Sequence, residues 1–352
     1  MQNKGARWGW ILFEGAEAGL WICMIMEGQL ERMILAVLCM ALLFPWIGAV
    51  GDSKGHKRIG FLVCLILGFL GVVLAAWTGL GAMYLLAMLG FSAAGLLHAA
   101  FLTDVSDEAH MELISSLGSI CFLLCGALAL WIVPFLRESR FVLGFTAAWM
   151  VVFSIPFLVY VRHHHTALPS EYPLPREVLH RIRHTAVPMA KNRKIRSLVL
   201  AAFFCTAGVS TVLTHGAWNS KSTGWILLPA LLALGLSGLG GKRWNGLQIL
   251  AVWIGLCLCG CLLDLLLPGS AFMTVGALCF GIRALVRGCF GRIIPRDQSA
   301  AYFGIFCCLG CLGLLAGFFL GTVSFAPVLA GVLFCLSGAV LLYRRRGFAG
   351  IL

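Results

Sequence analysis

Twelve long apolar runs occupy most of this 352-residue chain. They begin near residues 8, 33, 59, 80, 111, 141, 196, 223, 246, 270, 299 and 324. A helix needs about 20 mostly apolar residues to cross a bilayer, so each run is long enough to span one. Only 11% of the residues are charged, against about 25% in soluble domains. The sequence therefore predicts an all-α polytopic membrane protein with twelve transmembrane helices.

The connections between the runs are short, and the longest separates the sixth run from the seventh. This spacing predicts two structurally similar six-helix bundles, residues 1–161 and 196–352, joined by a cytoplasmic basic linker, residues 162–195. No interruption has room for a soluble catalytic domain. We therefore expect neither enzymatic activity nor a cofactor.

The formal charge of +12 follows from the predicted topology. With a cytoplasmic amino terminus, only Arg32, Arg137, Arg140 and Lys221 fall on the outer side, which leaves 22 of the 26 basic residues on or towards the inner side. Such a bias is typical of cytoplasmic loops. It predicts that both termini are cytoplasmic. It gives no reason to expect nucleic-acid binding.

Two further features of the sequence have simple interpretations. The 15 cysteines lie in or beside apolar runs, and their spacing does not suggest a metal site. In the linker, Val178, Leu179 and Ile182 form the apolar side of a short helix among basic residues, which Pro188 is expected to end. That pattern suits anionic headgroups, so membrane lipids are expected partners.

A compact charged turn separates the second and third runs. Asp52 can pair with a basic residue across the turn, a glycine before it allows a neighbouring helix to approach, and a glycine within it accepts a positive φ. The residues concerned are Gly48, Asp52, Gly55, Lys57 and Arg58. The pattern resembles the loop between the second and third helices of major facilitator transporters. The resemblance implies a latch on the cytoplasmic side.

Other stretches are similar to one branch of that superfamily, the bacterial "unknown major facilitator" proteins and the fungal vacuolar amino-acid effluxers. They are residues 10–18, 98–118, 203–211 and 283–304, in the order that the branch has them. Glu17 stands where the branch usually has Asn, and Thr206-Ala207 replace a usual Asn-Asp pair. The resemblance implies export or exchange of small polar metabolites, amino acids being the family example.

Ionisable residues within the spans are candidates for the substrate or proton pathway, because each is costly in lipid. The resemblance implies that helices 1, 4, 7 and 10 line a central cavity, and the candidates lie on those helices: Glu14, Glu17, His98, His215, Arg283 and Arg287. Glu14 and Glu17 are three residues apart and share a helix face. The two histidines also fit a plainer role as hydrogen-bonded residues near helix ends.

Glu17 and Arg283 reach similar depths, so an ion pair between the two bundles is expected. An anionic or zwitterionic substrate can open such a pair, or one glutamate can carry a proton, or the pair is a permanent structural link. Arg287 and Arg292 approach the inner surface, where they are expected to form a second latch with Asp104, Asp107 or Glu108.

These features favour a secondary transporter of a small polar metabolite, an amino acid or organic anion, that works by alternating access with protons as a candidate coupling ion. The expected state is a monomer. The alternative is a membrane scaffold or sensor that keeps the fold without transport. That alternative predicts a collapsed cavity with Glu17 and Arg283 permanently paired.

Overall fold

The computed structural model of the protein describes residues 4–26, 30–53, 57–136, 138–161, 174–219, 227–240 and 246–345. Within these ranges it is helical, with twelve long helices, one short helix and one helix in the linker. Nine of the described helical segments are long and apolar enough to cross a membrane. The predicted all-α polytopic fold class is confirmed.

Seven helices precede the linker, and we call them the N-terminal helices. They are α1 Lys4–Met26, α2 Leu30–Asp52, α3 Lys57–Thr78, α4 Gly81–Ala100, the short α5 Leu102–Val105, α6 Met111–Ile132 and α7 Ser139–Tyr160. Helix α1 packs against α6 and α7, while α3 packs along α4. Large apolar side chains such as Leu42, Trp77 and Val152 are exposed on their outer faces, as expected for surfaces in contact with lipid.

Six helices follow the linker, and we call them the C-terminal helices. They are α9 Arg193–Asn219, α10 Leu227–Gly240, α11 Gly246–Leu263, α12 Ser270–Ile293, α13 Ser299–Leu320 and α14 Ala326–Arg345. Helix α9 packs against α13 and α14, and α11 packs against α12 and α14. The N-terminal and C-terminal helices meet along α2 with α13 and along α6 with α10 and α12.

The linker contains helix α8, Leu174–Lys191, which contacts α2, α13 and α9. Of its predicted apolar stripe, Val178 is buried and Ile182 half-buried, but Leu179 is exposed. The prediction that Pro188 ends the helix is wrong. Pro188 lies close to the end of α8, so the helix loses one backbone hydrogen bond there, and burial of Met189 holds the last residues in place.

Glycines set the closest approaches between helices. A Cβ on Gly90 of α4 would lie 2.6 Å from the Cα of Gly68 on α3. At the crossing of α2 and α13, a Cβ on Gly48 would clash with the carbonyl oxygen of Ala300, and one on Gly304 would lie 2.6 Å from the carbonyl oxygen of Phe44. The prediction that Gly48 allows a neighbouring helix to approach is therefore confirmed.

We expect Gly90→Ala to lower the stability of the protein by about 1–3 kcal/mol, because the added methyl group meets the backbone of α3 and the helices must separate. Gly144→Ala on α7 is the matched control, since a Cβ there meets no atom within 4 Å. Thermal unfolding in detergent, followed by tryptophan fluorescence, measures both. Equal melting temperatures for the two variants would contradict the packing argument.

Candidate functional site

A cluster of ionisable side chains lies at the junction of the N-terminal and C-terminal helices, near the middle of α1, in the last turn of α4 and in the second half of α12. It consists of Glu14 and Glu17 on α1, His98 on α4, and Arg283 and Arg287 on α12. We call these five residues the charged cluster. Glu14 lies ten residues from the start of α1, which is about 15 Å at 1.5 Å per residue. The sequence predicted each member.

The most buried ion pair of the cluster joins Glu14 to Arg287. Arg287 Nη1 donates to Glu14 Oε1, and the Glu14 side chain is fully buried. The guanidinium also donates from Nε to Ser115 Oγ at 3.0 Å and from Nη2 to the Ser115 carbonyl oxygen at 3.2 Å. Its carbon lies 4.7 Å from the centre of the Trp10 ring. Arg287 is thus surrounded by acceptors and an aromatic face, which suits a structural role.

Trp10 and His98 hold α1 against α4. The Trp10 indole N–H donates to the His98 carbonyl oxygen, and His98 Nε2 bonds the Trp10 carbonyl oxygen, each at 2.8 Å. Their rings stack with centres 4.5 Å apart. His98 Nδ1 then faces the glutamates, 3.6 Å from Glu14 Oε1 and 3.8 Å from Glu17 Oε1. His98 is thus both a fully buried member of the cluster and, in the last turn of α4, the hydrogen-bonded residue near a helix end that the plainer prediction described.

Glu17 and Arg283 form the second ion pair, as the sequence predicted. Arg283 Nη2 donates to Glu17 Oε2 at 3.2 Å and lies 3.9 Å from Glu14 Oε2. The guanidinium carbon also stands 5.0 Å from the ring centre of Phe122 on α6. The side chain of Arg283 is 45% exposed, whereas that of Arg287 is 7% exposed. The two arginines therefore differ in how accessible they are.

Small residues make the space that the charged cluster occupies. A Cβ on Gly95 would lie 2.5 Å from Glu17 Oε1, and a Cβ on Gly118 would lie 2.8 Å from the Trp10 ring and 3.0 Å from Glu14 Cγ. Gly118 ends the segment Ser115-Ser116-Leu117-Gly118, part of the stretch 98–118, and Ser115 of the same segment bonds Arg287. This segment therefore binds Arg287 through Ser115 and leaves room for Trp10 and Glu14 at Gly118.

A cavity of about 510 Å³ adjoins the cluster. Glu17, Arg283 and Arg287 line it together with residues of α2, α4, α9, α12 and α13. Its other walls are mostly apolar, for example Met40, Phe91, Phe280, Phe306 and Leu314. Among the six predicted pathway residues, His215 is half-buried near the end of α9 and lies outside both this cavity and the charged cluster.

Glu14, Glu17 and His98 each offer one ligand atom within 4.8 Å of the others, a spacing that a metal ion can bridge. Among the described residues, Glu14 Oε2 and His98 Nδ1 are buried without a hydrogen-bond partner. Both carboxylates, however, already face guanidinium groups. A divalent cation would have to overcome repulsion from Arg283 and Arg287, so the donor set fits such an ion poorly.

The predicted latch lies at one end of the helices, which we call the latch end. The Asp52 carboxylate accepts the backbone N–H groups of Ala300 at 3.2 Å and Ala301 at 2.7 Å, in the first turn of α13. Free N–H groups and the helix dipole make this helix start attractive to a carboxylate. Asp52 thus joins the N-terminal helices to the C-terminal helices.

The predicted pairing of Asp52 with Lys57 or Arg58 is wrong. Lys57 is fully buried and donates to Asp104 Oδ2 at 2.7 Å, to Ser299 Oγ at 2.8 Å and to the Ala100 carbonyl oxygen at 3.3 Å. These acceptors satisfy all three N–H bonds of a buried ammonium group, which one carboxylate could not.

The two other latch predictions concern Arg58 and Gly55. Arg58 donates to the Leu158 carbonyl oxygen of α7 at 2.7 Å, so it joins two N-terminal helices. Gly55 lies outside the described residues.

A second set of contacts closes the latch end between α6 and α12. Arg292 pairs with Glu112 at 2.8 Å, and Arg296 approaches Glu108 at 3.8 Å. The sequence predicted that Arg292 would take part, but it missed Glu112, whose partner lies 180 residues away in the chain. Arg287, expected in this latch, pairs with Glu14 because it lies on the inner face of α12, opposite α1.

The helical fold and the pattern of membrane spans together define the class of protein. It is an integral membrane protein with the fold of the major facilitator superfamily. No family model matches the chain. It is 26% identical over 322 residues to the "Uncharacterized MFS-type transporter YxiO" of Bacillus subtilis strain 168, covering 80% of this chain and 74% of that protein.

Two solved structures show the same fold. A bacterial homologue of the iron transporter ferroportin, in the outward-facing state, superposes with a TM-score of 0.74 at 14% identity and covers 98% of this chain and 100% of that one. The transporter FucP, in the outward conformation, gives a TM-score of 0.74 at 14% identity over 97% of this chain and 98% of that one. At this level of identity the likeness concerns the fold.

Glu14 and Arg287 are expected to stabilise the protein as a unit. Glu14→Gln and Arg287→Gln should each lower stability by about 3–5 kcal/mol, because each leaves a buried charge without its partner. The double variant should be more stable than the sum of the two losses predicts. Thermal unfolding of all four proteins in detergent provides the double-mutant cycle. Additive losses would show that the two side chains act separately.

Asp52→Asn is expected to loosen the latch end, because the amide loses the charge that binds the first turn of α13. Hydrogen–deuterium exchange of the backbone at Ala300 and Ala301 should accelerate about tenfold. Asp264→Asn is the control, since Asp264 Oδ1 accepts the N–H groups of Gly269 and Ala271 at the start of α12. It should accelerate exchange there and leave α13 unchanged. Unaltered exchange at α13 in Asp52→Asn would show that the Asp52 carboxylate does not hold the start of α13.

Proposed function

We propose that the protein is a major facilitator superfamily transporter that moves a small polar metabolite, an amino acid or organic anion, by alternating access. The observation that carries the proposal is the charged cluster beside the cavity, between the N-terminal and C-terminal helices. Ionisable side chains are expensive within a membrane and mark substrate or ion pathways. The likeness to a transporter of Bacillus subtilis and to the solved transporters supports this choice.

In the proposed mechanism two bundles, residues 1–161 and 196–352, rock about the cluster, and the linker 162–195 tethers them. The latch contacts of Asp52 and the Glu112–Arg292 pair close one end of the structure, next to a cavity that has room for a ligand. Opening the latch end would require these contacts to break and equivalent contacts to form at the opposite end. The two bundles rock about the Glu14–Arg287 pair.

Proton coupling belongs to the same proposal. Glu17 and His98 lie next to each other, and Glu17 faces the cavity through its pair with Arg283. A substrate that takes the place of Glu17 at Arg283 leaves a carboxylate in the membrane, where the neutral form is favoured. Protons are therefore the proposed coupling ion, and export is the proposed direction.

The sidedness, environment and state of assembly complete the proposal. The basic residues of α8 and of the chain ends favour a cytoplasmic latch end and cytoplasmic termini in an inner membrane, with anionic lipid near α8. The proposed working unit is a monomer. The scaffold or sensor alternative expects a collapsed cavity, and a cavity of about 510 Å³ beside the cluster favours transport instead.

Uptake and counterflow of a labelled amino-acid and organic-anion panel in proteoliposomes, with and without a pH gradient, test the proposal. We expect at least one compound to be transported, with gradient-driven flux reduced at least tenfold in Glu17→Gln because that side chain cannot take up and release a proton. Glu138→Gln is the matched control, since Glu138 is an exposed residue that pairs with Arg140 and does not line the cavity.

The possible results separate the alternatives. Absence of flux for every compound would favour the scaffold or sensor. Normal gradient-driven flux in Glu17→Gln would remove Glu17 from the proton pathway while leaving transport itself in place.

A further inference from the structure

The two arginines of the charged cluster are placed for different roles. Arg287 donates to Glu14 and twice to Ser115, and its side chain is 7% exposed. Arg283 donates from one nitrogen, Nη2, to Glu17, and its side chain is 45% exposed. A guanidinium group carries five N–H donors in a planar fork that matches a carboxylate. Within the described part of the chain, Arg283 therefore has further N–H donors available beside the cavity.

The wall of the cavity is apolar apart from the charged cluster. Aromatic and aliphatic side chains dominate it, and Ser92 and Thr206 are the hydroxyl groups among its described residues. A sugar needs several hydrogen-bond partners, and every hydroxyl left unpaired in such a wall would be penalised. A ligand with one charged group and an apolar body matches the wall instead.

Aromatic rings lie near the exposed guanidinium. Phe122 stands 5.0 Å from the carbon of the Arg283 guanidinium and 5.8 Å, between ring centres, from Phe280, which lines the cavity. A ring attached to a carboxylate held at Arg283 could pack against these rings in the offset or edge-to-face arrangements that aromatic groups prefer.

We infer that the site binds an apolar monocarboxylate, an aryl- or alkyl-carboxylate anion, with its carboxylate at Arg283 and its apolar body in the cavity. The inference rests on the proposed transport function and specifies its substrate class. The substrate carboxylate replaces Glu17 as the partner of Arg283. Glu17 then takes up one proton from the bulk solution, as hydronium, and becomes a neutral carboxylic acid, so that one anion and one proton are bound together and the charge of the site is unchanged.

An amino acid fits this arrangement less well. Its ammonium group needs an ionised acceptor, and Glu17 is the acidic residue lining the cavity among the described residues. Glu17 Oε1 is packed against Gly95 of α4, and its other oxygen, Oε2, is the one that faces Arg283. A zwitterion would require Glu17 to stay ionised and to leave Arg283 for the ammonium group of the ligand, with His98, 3.8 Å away, as a further basic neighbour.

Isothermal titration of the purified full chain in detergent tests the inference with four probes: 4-phenylbutyrate, its uncharged amide 4-phenylbutyramide, L-phenylalanine and glucose. We expect 4-phenylbutyrate to bind at least tenfold more tightly than the other three. Arg283→Gln should weaken its binding at least tenfold, and Arg283→Lys should keep part of it. Arg140→Gln, which alters an exposed arginine paired with Glu138, should bind as the unmodified protein does.

The dependence of binding on pH tests the exchange at Glu17. Because binding takes up a proton, the affinity for 4-phenylbutyrate should fall as pH rises, by up to tenfold per pH unit. In Glu17→Gln the competing carboxylate is gone, so binding should be tighter and independent of pH. Affinity independent of pH in the unmodified protein would overturn the exchange.

Other results would overturn the substrate class. Equal affinity for the amide or for glucose, tighter binding of L-phenylalanine, or unchanged binding in a folded Arg283→Gln variant would each do so. Absence of 4-phenylbutyrate binding, with amino-acid flux in proteoliposomes, would end the inference and leave the proposed function standing. Binding that depends on Arg283 without flux of any compound would support the site and end the proposed function.

Discussion

The buried ion pair between Glu14 and Arg287 is the interaction on which the rest of the structure depends. It joins α1 to α12 at mid-span, where an unpaired charge would be strongly destabilising. Ser115 of α6 and the ring of Trp10 complete the surroundings of the guanidinium, so the pair holds three helices in register. With Arg287 occupied in this way, Arg283 one turn away remains available to Glu17 and to the cavity. The difference in burial between the two arginines thus separates a structural ion pair from the proposed ligand site.

The latch end uses a different physical principle. Asp52 binds the amides at the start of α13, and Lys57 is buried among Asp104, Ser299 and a carbonyl oxygen. These contacts are local and polar, and they surround a helix crossing made close by Gly48 and Gly304. Closely packed small residues let the backbones of two helices approach each other directly. Opening such a junction would require both the hydrogen bonds and this helix packing to separate.

Sequence reasoning found the members of the site better than their partners. Glu14, Glu17, His98, Arg283 and Arg287 stand out because ionisable residues are rare in apolar runs. The contact of Glu17 with Arg283 was predicted from their equal depth in the membrane. The sequence reveals depth because each residue of a helix advances by a fixed distance along the helix axis. His215 has the same sequence signal but lies outside the cluster and the cavity, because it stands near the end of α9. The sequence did not single out Ser115, Trp10 and Glu112 as partners. Ser115 and Trp10 are uncharged, and Glu112 lies in the first turn of α6, where an acidic residue is ordinary.

The sequence by itself determined the all-helical membrane fold, the number of long helices and the residues that had to find partners in the membrane. These features follow from the free energy of placing apolar and charged groups in lipid, and that free energy depends on the residues of each apolar run by itself. The tertiary structure decided which charges pair, that Asp52 binds a helix start instead of Lys57, and that Arg287 is buried while Arg283 stays half exposed. Those outcomes depend on how helices far apart in the chain rotate and cross. Packing between the helices sets these angles, so the sequence of one apolar run does not reveal them.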